Sequence, residues 1–541
     1  MIKKLSVFAL LFVVCFAGRA QKVSIIPQPV SMQVANGNFI LDQKTSFAVT
    51  NAEDRKAADF FNDYLQGIYG FKLPVKKDRA GKYIQLSTPG GANPGATDSY
   101  SLQVTPAMVK IEGNTYSGTF YGIQSLIQLL PLEKAATLSI PAVAIVDSPR
   151  FAYRGMHLDV GRHFFPVSFV KKYIDYIALH KMNYFHWHLT EDQGWRIEIR
   201  KYPELTRIGS CRNGTIIGHH PGTGNDSIRY CGYYTQNEIK DVVKYAADRH
   251  ITVIPEIEMP GHAEAALTSY PWLGCPGTGP YKVEPTWGVF NNVFCAGKDS
   301  TFTFLQGVLD EVLQLFPSTY IHIGGDECPK TNWKSCPLCQ ARIKAEGLKD
   351  EHELQSYFIQ RIEKYLNSKG RKIIGWDEIL EGGLAPNATV MSWRGEKGGI
   401  AAAQENHNVI MTPGSHVYFD HGQVEKEDSL NIGGVLPVEK VYSYEPVPKE
   451  LTPEQGKYVW GAQANVWTEY MAYPSKIEYM IFPRMSALSE VLWSPKEKRD
   501  WADFQPRLED QFKRYDLWKV NYSRAFFNKA DNTSKTANTE K

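Results

Sequence analysis

Short apolar runs and stretches of helical spacing take turns from Phe151 onward. Arg154–Val160 reads as a strand, Val167–His180 as a helix and Tyr184–Leu189 as a second strand. Helix Asn237–His250 leads into strand Thr252–Ile257, helix Phe302–Leu315 into Tyr320–Ile323, and helix Glu353–Ser368 into Lys372–Trp376. Thr389–Trp393, Asn408–Met411 and Tyr458–Ala462 supply three more strands. Eight strands in this alternation predict an α/β fold, a (β/α)8 TIM barrel with insertions, over residues 149–498. The competing architecture is an open doubly wound sheet, but no G-x-G-x-x-G follows an early strand. A helix over 475–493 is expected to close the barrel. Residues 499–541 are expected to form a last helix, Trp501–Val520, and a polar, disordered tail from Asn528.

Upstream, residues 21–148 carry a different pattern. Val23–Val30 is held extended by Pro27 and Pro29. Lys56–Tyr69 and Ser117–Leu130 have helical spacing, and Tyr83–Ser87 and Tyr100–Glu112 alternate like strands. The prediction is a small α+β domain ahead of the barrel, without paired acids of its own. The first twenty residues, MIKKLSVFALLFVVCFAGRA, have the charged start, apolar run and small residues of a signal peptide. Export, to a periplasm or beyond the cell, is therefore expected. Cys15 raises lipoprotein anchoring, but Val13 and Val14 are bulky where small residues are wanted. No later segment is long and apolar enough to span a bilayer.

Composition narrows the partners. With 60 Lys and Arg against 58 Asp and Glu and no polybasic run, nothing points to nucleic acid or an anionic membrane surface. Seven cysteines follow the leader. In an oxidising compartment Cys211–Cys231 and Cys275–Cys295 are plausible disulfides, each worth on the order of 3 kcal/mol. Cys336 and Cys339 with Cys328 suggest a disulfide plus a free thiol. Three thiols without a close fourth ligand argue against structural zinc, so no metal or cofactor is expected.

The chemistry gathers at strand ends. The fourth strand runs into Gly324-Gly325-Asp326-Glu327, where two glycines let the chain turn before an acidic pair. By itself that could be a turn in which Asp326 caps the next helix. The other ends also carry acids, His or Trp: Asp159; His186-Trp187-His188 with Glu191-Asp192; Glu256 to His262; Trp376-Asp377-Glu378; Trp393-Arg394; Tyr418 and Asp420; Trp467 and Glu469. Two reaction classes fit. His186-x-His188 could bind a hydrolytic zinc, and carboxyls with Trp platforms suit glycoside hydrolysis. A catalytically silent carbohydrate-binding protein on the same barrel is a third reading.

Taken together, the motifs resemble glycoside hydrolase family 20, the β-N-acetylhexosaminidases. They are YRGMHLDVGRHF (153–164), HWHLTEDQGWRIEI (186–199), PEIEMPGHAEAAL (255–267), HIGGDECPKTNW (322–333), GWDEI (375–379), SWRG (392–395), YFD (418–420) and NVWTE (465–469). The resemblance implies removal of terminal GlcNAc or GalNAc from a glycan, with the substrate's acetamido oxygen as nucleophile, an exception to the two-carboxylate scheme. Lacto-N-biosidase-like or sulfated-hexosamine-specific relatives are variants of that reading. It implies Glu327 as general acid and base, with a raised pKa, Asp326 on the acetamido N–H and Tyr418 on its oxygen. Trp376, Trp393 and Trp467 would wall the pocket. Arg154, Asp420 and Glu469 would hold sugar hydroxyls, with Asp192 and His262 behind Glu327.

Overall fold

The structure, a computed structural model, describes residues 23–527 apart from 80, 90, 92–96 and 428. The leader expected over 1–20, Cys15 and the tail expected from Asn528 lie outside the described residues.

The eight expected strands form one closed parallel barrel: Tyr153–Asp159, Tyr184–His188, Thr252–Met259, Tyr320–Gly324, Lys372–Trp376, Thr389–Ser392, Val409–Met411 and Val459–Ala464. Nearly every strand position is buried. That is why they read as apolar runs rather than as alternation. The expected closing helix is two, Pro474–Ile481 and Arg484–Trp493. Pro483 cannot donate a backbone N–H, and the chain turns there.

The N-terminal domain is a seven-stranded mixed sheet with helices Ala52–Tyr69 and Tyr116–Gln128. Both helices start at a side-chain cap, Asn51 on the Asp54 N–H and Thr115 on the Gly118 N–H. The single strand expected over Tyr100–Glu112 is a hairpin, Tyr100–Val104 and Met108–Gly113. Strands Ser31–Leu41 and Leu138–Asp147 were not foreseen.

Buried charge holds this domain to the base of the barrel. Lys181 Nζ lies 2.9 Å from Asp147 Oδ2 and donates to Tyr100 OH at 2.7 Å. Trp493 Nε1 donates to Asp147 Oδ1 at 2.9 Å. The helix Trp501–Trp518 straps the two together: Arg507 grips Glu490 at 2.6 and 2.8 Å, while Arg514 Nη2 donates to Ser24 O and Gln128 O. Over the opposite rim, a disulfide joins Cys211 and Cys231 across the short hairpin Cys211–Asn213 and Arg229–Cys231, as the spacing suggested. Cys275 and Cys295, expected to pair, are both free thiols. Among the described residues no helix is long and apolar enough to cross a membrane.

Candidate active site

The acid pair owes its position to the two glycines. Gly324 and Gly325 take φ of +68° and +96°, and a Cβ at 324 would sit 1.8 Å from Glu258 Oε2. The chain therefore turns sharply off the fourth strand, and Glu327 itself holds φ +39°, a region costly for a residue with a side chain. Asp326 does not cap a helix; the next one, Thr331–Ser335, begins after Lys330. Asp326 and Glu327 instead line a cavity of about 220 Å3 at the C-terminal mouth of the barrel. Asp326 Oδ1 is buried there without a protein partner.

One imidazole organises the charges. His262, also at positive φ, places Nε2 3.5 Å from Glu327 Oε2 and 3.7 Å from Asp326 Oδ2. Its Nδ1 faces Glu191 Oε1 at 2.8 Å and Asp192 Oδ2 at 3.0 Å. Burial opposes a charged ring, but Glu191, Asp192 and Glu327 outweigh it and hold His262 well above its usual range, as an imidazolium. Glu327 consequently lies below the usual glutamate value, chiefly through the hydrogen bond from His262. This corrects the expectation of a raised pKa. The raised group is Asp326, pushed up by burial to about 7 with Glu327 adding to the effect. Glu258, buried beside Asp326 with neither oxygen bonded, is driven well above its usual range by burial and by Asp326.

Aromatic rings form the walls. Trp376, Trp393, Tyr418 and Trp467 all line the cavity. Trp376 Nε1 donates to Glu256 Oε1 at 2.8 Å, and Trp393 Nε1 to Glu378 Oε2 at 2.9 Å. The Tyr418 and Trp393 rings face each other at 6.2 Å with planes 22° apart. Burial and Asp420 keep the Tyr418 hydroxyl protonated. Asp420 and Glu469 also line the cavity, and each leaves one buried oxygen unpaired, Oδ1 and Oε2. Both carboxyls are raised first by burial.

Arg154 is not in this site. It lies at the start of its strand, the end away from the cavity, and donates to Lys181 O, Phe151 O and Tyr121 OH while stacking on Trp493. It docks the two domains. The arginine at the cavity is Arg162, beyond the strand's C-terminal end, 3.1 Å from Glu191 Oε2 and over the Trp467 ring. The sequence contained the signal: a barrel presents function after strand ends, and of Arg154 and Arg162 only the latter follows one. Asp192 stands behind His262 rather than on the cavity wall, where Glu191, His421 and Ile432 are found. His186 and His188 do share one side of their strand, but inside the barrel. With His322 they surround Glu256, at 3.0 Å for His186 Nε2 and 2.8 Å for His322 Nδ1. They thereby fix the carboxylate that holds Trp376, a support beneath the pocket floor.

Comparison with known proteins places both domains in one family. The catalytic domain of glycosyl hydrolase family 20 matches residues 151–496, and domain 2 of the same family matches residues 22–148. A beta-hexosaminidase of Porphyromonas gingivalis is 49% identical over 92% of this chain, which spans 64% of that protein's length. The exo beta-N-acetylglucosaminidase of Vibrio harveyi, solved with N-acetylglucosamine, superposes with a TM-score of 0.83 at 34% identity, covering 92% of this chain and 78% of that one. The beta-N-acetylhexosaminidase of Bacteroides fragilis superposes at 0.77 with 35% identity, covering 92% and 97%. With both domains matched and the acid pair set in the barrel mouth, the chain belongs to glycosyl hydrolase family 20.

Proposed function

We propose that this protein is an exported, exo-acting β-N-acetylhexosaminidase that releases terminal non-reducing GlcNAc or GalNAc from glycans with retention of configuration. The observation that carries the reading is the pairing of Asp326 and Glu327 on one imidazolium. Facing oxygens of these two acids and the His262 nitrogen all lie within 4.8 Å of one another. Adjacent acids that share one imidazolium suit two different atoms of one sugar, the glycosidic oxygen and the acetamido group, better than an acid and a protein nucleophile set across the ring. The nucleophile is then the substrate's own acetamido oxygen.

In this reading Glu327 protonates the glycosidic oxygen as that bond breaks, and the acetamido oxygen closes on the anomeric carbon to give an oxazolinium ion. Asp326 Oδ1 accepts the acetamido N–H and balances the new positive charge. Tyr418 donates to the acetamido oxygen and aligns it for attack. Glu327, now ionised, takes a proton from water as that water opens the ring. Trp376, Trp393 and Trp467 enclose the acetamido methyl and the sugar's apolar face. Arg162, Asp420 and Glu469 bind its hydroxyls: the unpaired Asp420 Oδ1 and Glu469 Oε2 accept from them, and the unpaired Arg162 Nη1 donates to one.

Release of aryl alcohol from aryl GlcNAc and GalNAc tests the activity, and a thiazoline of the sugar tests the mechanism. Competitive inhibition by the thiazoline far tighter than product is expected; indifference to it excludes acetamido participation. The two arginines separate in a second experiment. Arg162→Lys is expected to raise KM roughly tenfold or more at little cost in Tm, because an ammonium cannot reproduce the guanidinium fork. Arg154→Met should lower Tm by several degrees and leave KM unchanged. A KM effect at Arg154 would reverse the assignment.

A further inference from the structure

The thiols that do not pair form a cluster of their own. Cys275, Cys295, Cys336 and Cys339 are all buried, and their four sulfurs lie within 4.8 Å of one another. Three contacts are closer: 3.8 Å for Cys275–Cys339, 3.8 Å for Cys295–Cys336 and 3.7 Å for Cys295–Cys339. A disulfide needs about 2.05 Å, so none of these pairs is bonded. A tetrahedron of sulfurs about 2.3 Å from a central zinc has edges of about 3.8 Å. The observed spacings match that tetrahedron. Cys328, which the sequence grouped with the Cys336-Pro-Leu-Cys339 pair, stands outside the cluster. The ligands that complete it come from the loop after the third strand.

We propose that Cys275, Cys295, Cys336 and Cys339 bind one structural zinc ion as a closed tetrathiolate site. Cys336 and Cys339 form a C-x2-C knuckle at the start of helix Pro337–Ala345. Four sulfur donors leave no open position for water, so the ion braces structure and does no chemistry on substrate. The backbones around it are already pressed together: a Cβ on Gly297 would fall 2.3 Å from Leu338 C and 2.5 Å from Cys339 N. Neighbouring bonds run the same way, with Phe294 N–H donating to Pro260 O and Trp333 Nε1 to Phe294 O, both at 3.0 Å. The segments so joined are the one that begins with His262 and the one that follows Asp326 and Glu327. Zinc would hold the imidazolium and the two acids it organises in register.

The proposal does not depend on which glycan is cut, and its test is elemental. The full chain, produced by export into an oxidising compartment and dialysed against metal-free buffer, is analysed by inductively coupled plasma mass spectrometry. One zinc per chain is expected, released into a colorimetric chelator when a mercurial titrates the thiols. Cys336→Ser with Cys339→Ser should lose the zinc, while Cys328→Ser should keep it. Because the double variant could fail to fold, the native chain is also loaded with cobalt, which should give the intense visible bands of tetrahedral thiolate coordination. Zinc below a tenth of an equivalent, disulfides among these four cysteines by peptide mapping, or iron in place of zinc would each overturn it.

Discussion

Glu327→Gln is expected to lower kcat/KM for a glycan substrate by about a thousandfold, within the range removal of a general acid–base group produces. The amide keeps the shape and the contact with His262 but has no proton to give and none to accept. Its cost to folding is small, because the Glu327 side chain is 37% exposed. The size of the loss depends on the leaving group. A sugar alkoxide cannot depart without a proton, whereas a dinitrophenolate can, so bond cleavage with the activated aryl glycoside should proceed at close to the native rate. Turnover then slows at the second step, where water needs a base, and an initial burst of released phenolate is expected. Stopped-flow absorbance with the aryl substrate and product chromatography with the glycan measure the two arms. Native turnover on the glycan would remove Glu327 from the role.

What the sequence revealed and concealed follows a physical divide. The eight barrel strands were legible because nearly every position in them is buried, so short, mostly apolar stretches recur between the helices and polar or charged residues gather at their ends. The acid pair was legible because Gly324-Gly325 announces a turn at positive φ, where a side chain at 324 would also run into Glu258. Strand Ser31–Leu41 was hidden because most of its residues are exposed and give no alternation. Arg154 was mistaken for a sugar ligand because it shares a motif with Arg162, eight positions on, at the opposite end of the strand. The thiol cluster was hidden because Cys275 and Cys339 are 64 residues apart, and only the folded barrel rim brings them together. The direction of the Glu327 shift was hidden for a similar reason. Whether a carboxyl is raised or lowered depends on which neighbour is charged, and His262 is held charged by Glu191 and Asp192 behind it together with Glu327 itself.

Asp326→Asn is the sharper probe, because it should move activity and stability in opposite directions. Asp326 sits at about 7 and Glu327 below the usual glutamate value, so between those limits the pair holds one proton, mostly on Asp326. In the proposed mechanism the productive arrangement is the reverse, with the proton on Glu327 and Asp326 ionised. A bound sugar supplies both changes. Its acetamido N–H stabilises the Asp326 carboxylate, and its bulk excludes water from Glu327 and raises it. Native kcat/KM should therefore fall as pH rises past about 7, where the free pair loses its last proton. Asparagine leaves Glu327 to hold the proton alone, so that limb should move to acid pH, below the usual glutamate value. Without a charge opposite the oxazolinium ion, kcat itself should drop by about two to three orders of magnitude. Stability runs the other way. A carboxyl whose folded pKa is raised stabilises the fold relatively below its unfolded value, and that contribution is lost as pH rises through the folded one. Above pH 7 the native protein carries a buried carboxylate, set against His262 through Oδ2 but with Oδ1 unpartnered, and asparagine removes that charge. The variant should melt at a higher temperature than native at pH 8, and the difference should vanish near pH 4. Calorimetry and a kcat/KM profile from pH 4 to 9 read both. An unmoved alkaline limb with rates within threefold of native would mean that Asp326 neither holds the shared proton nor meets the acetamido group.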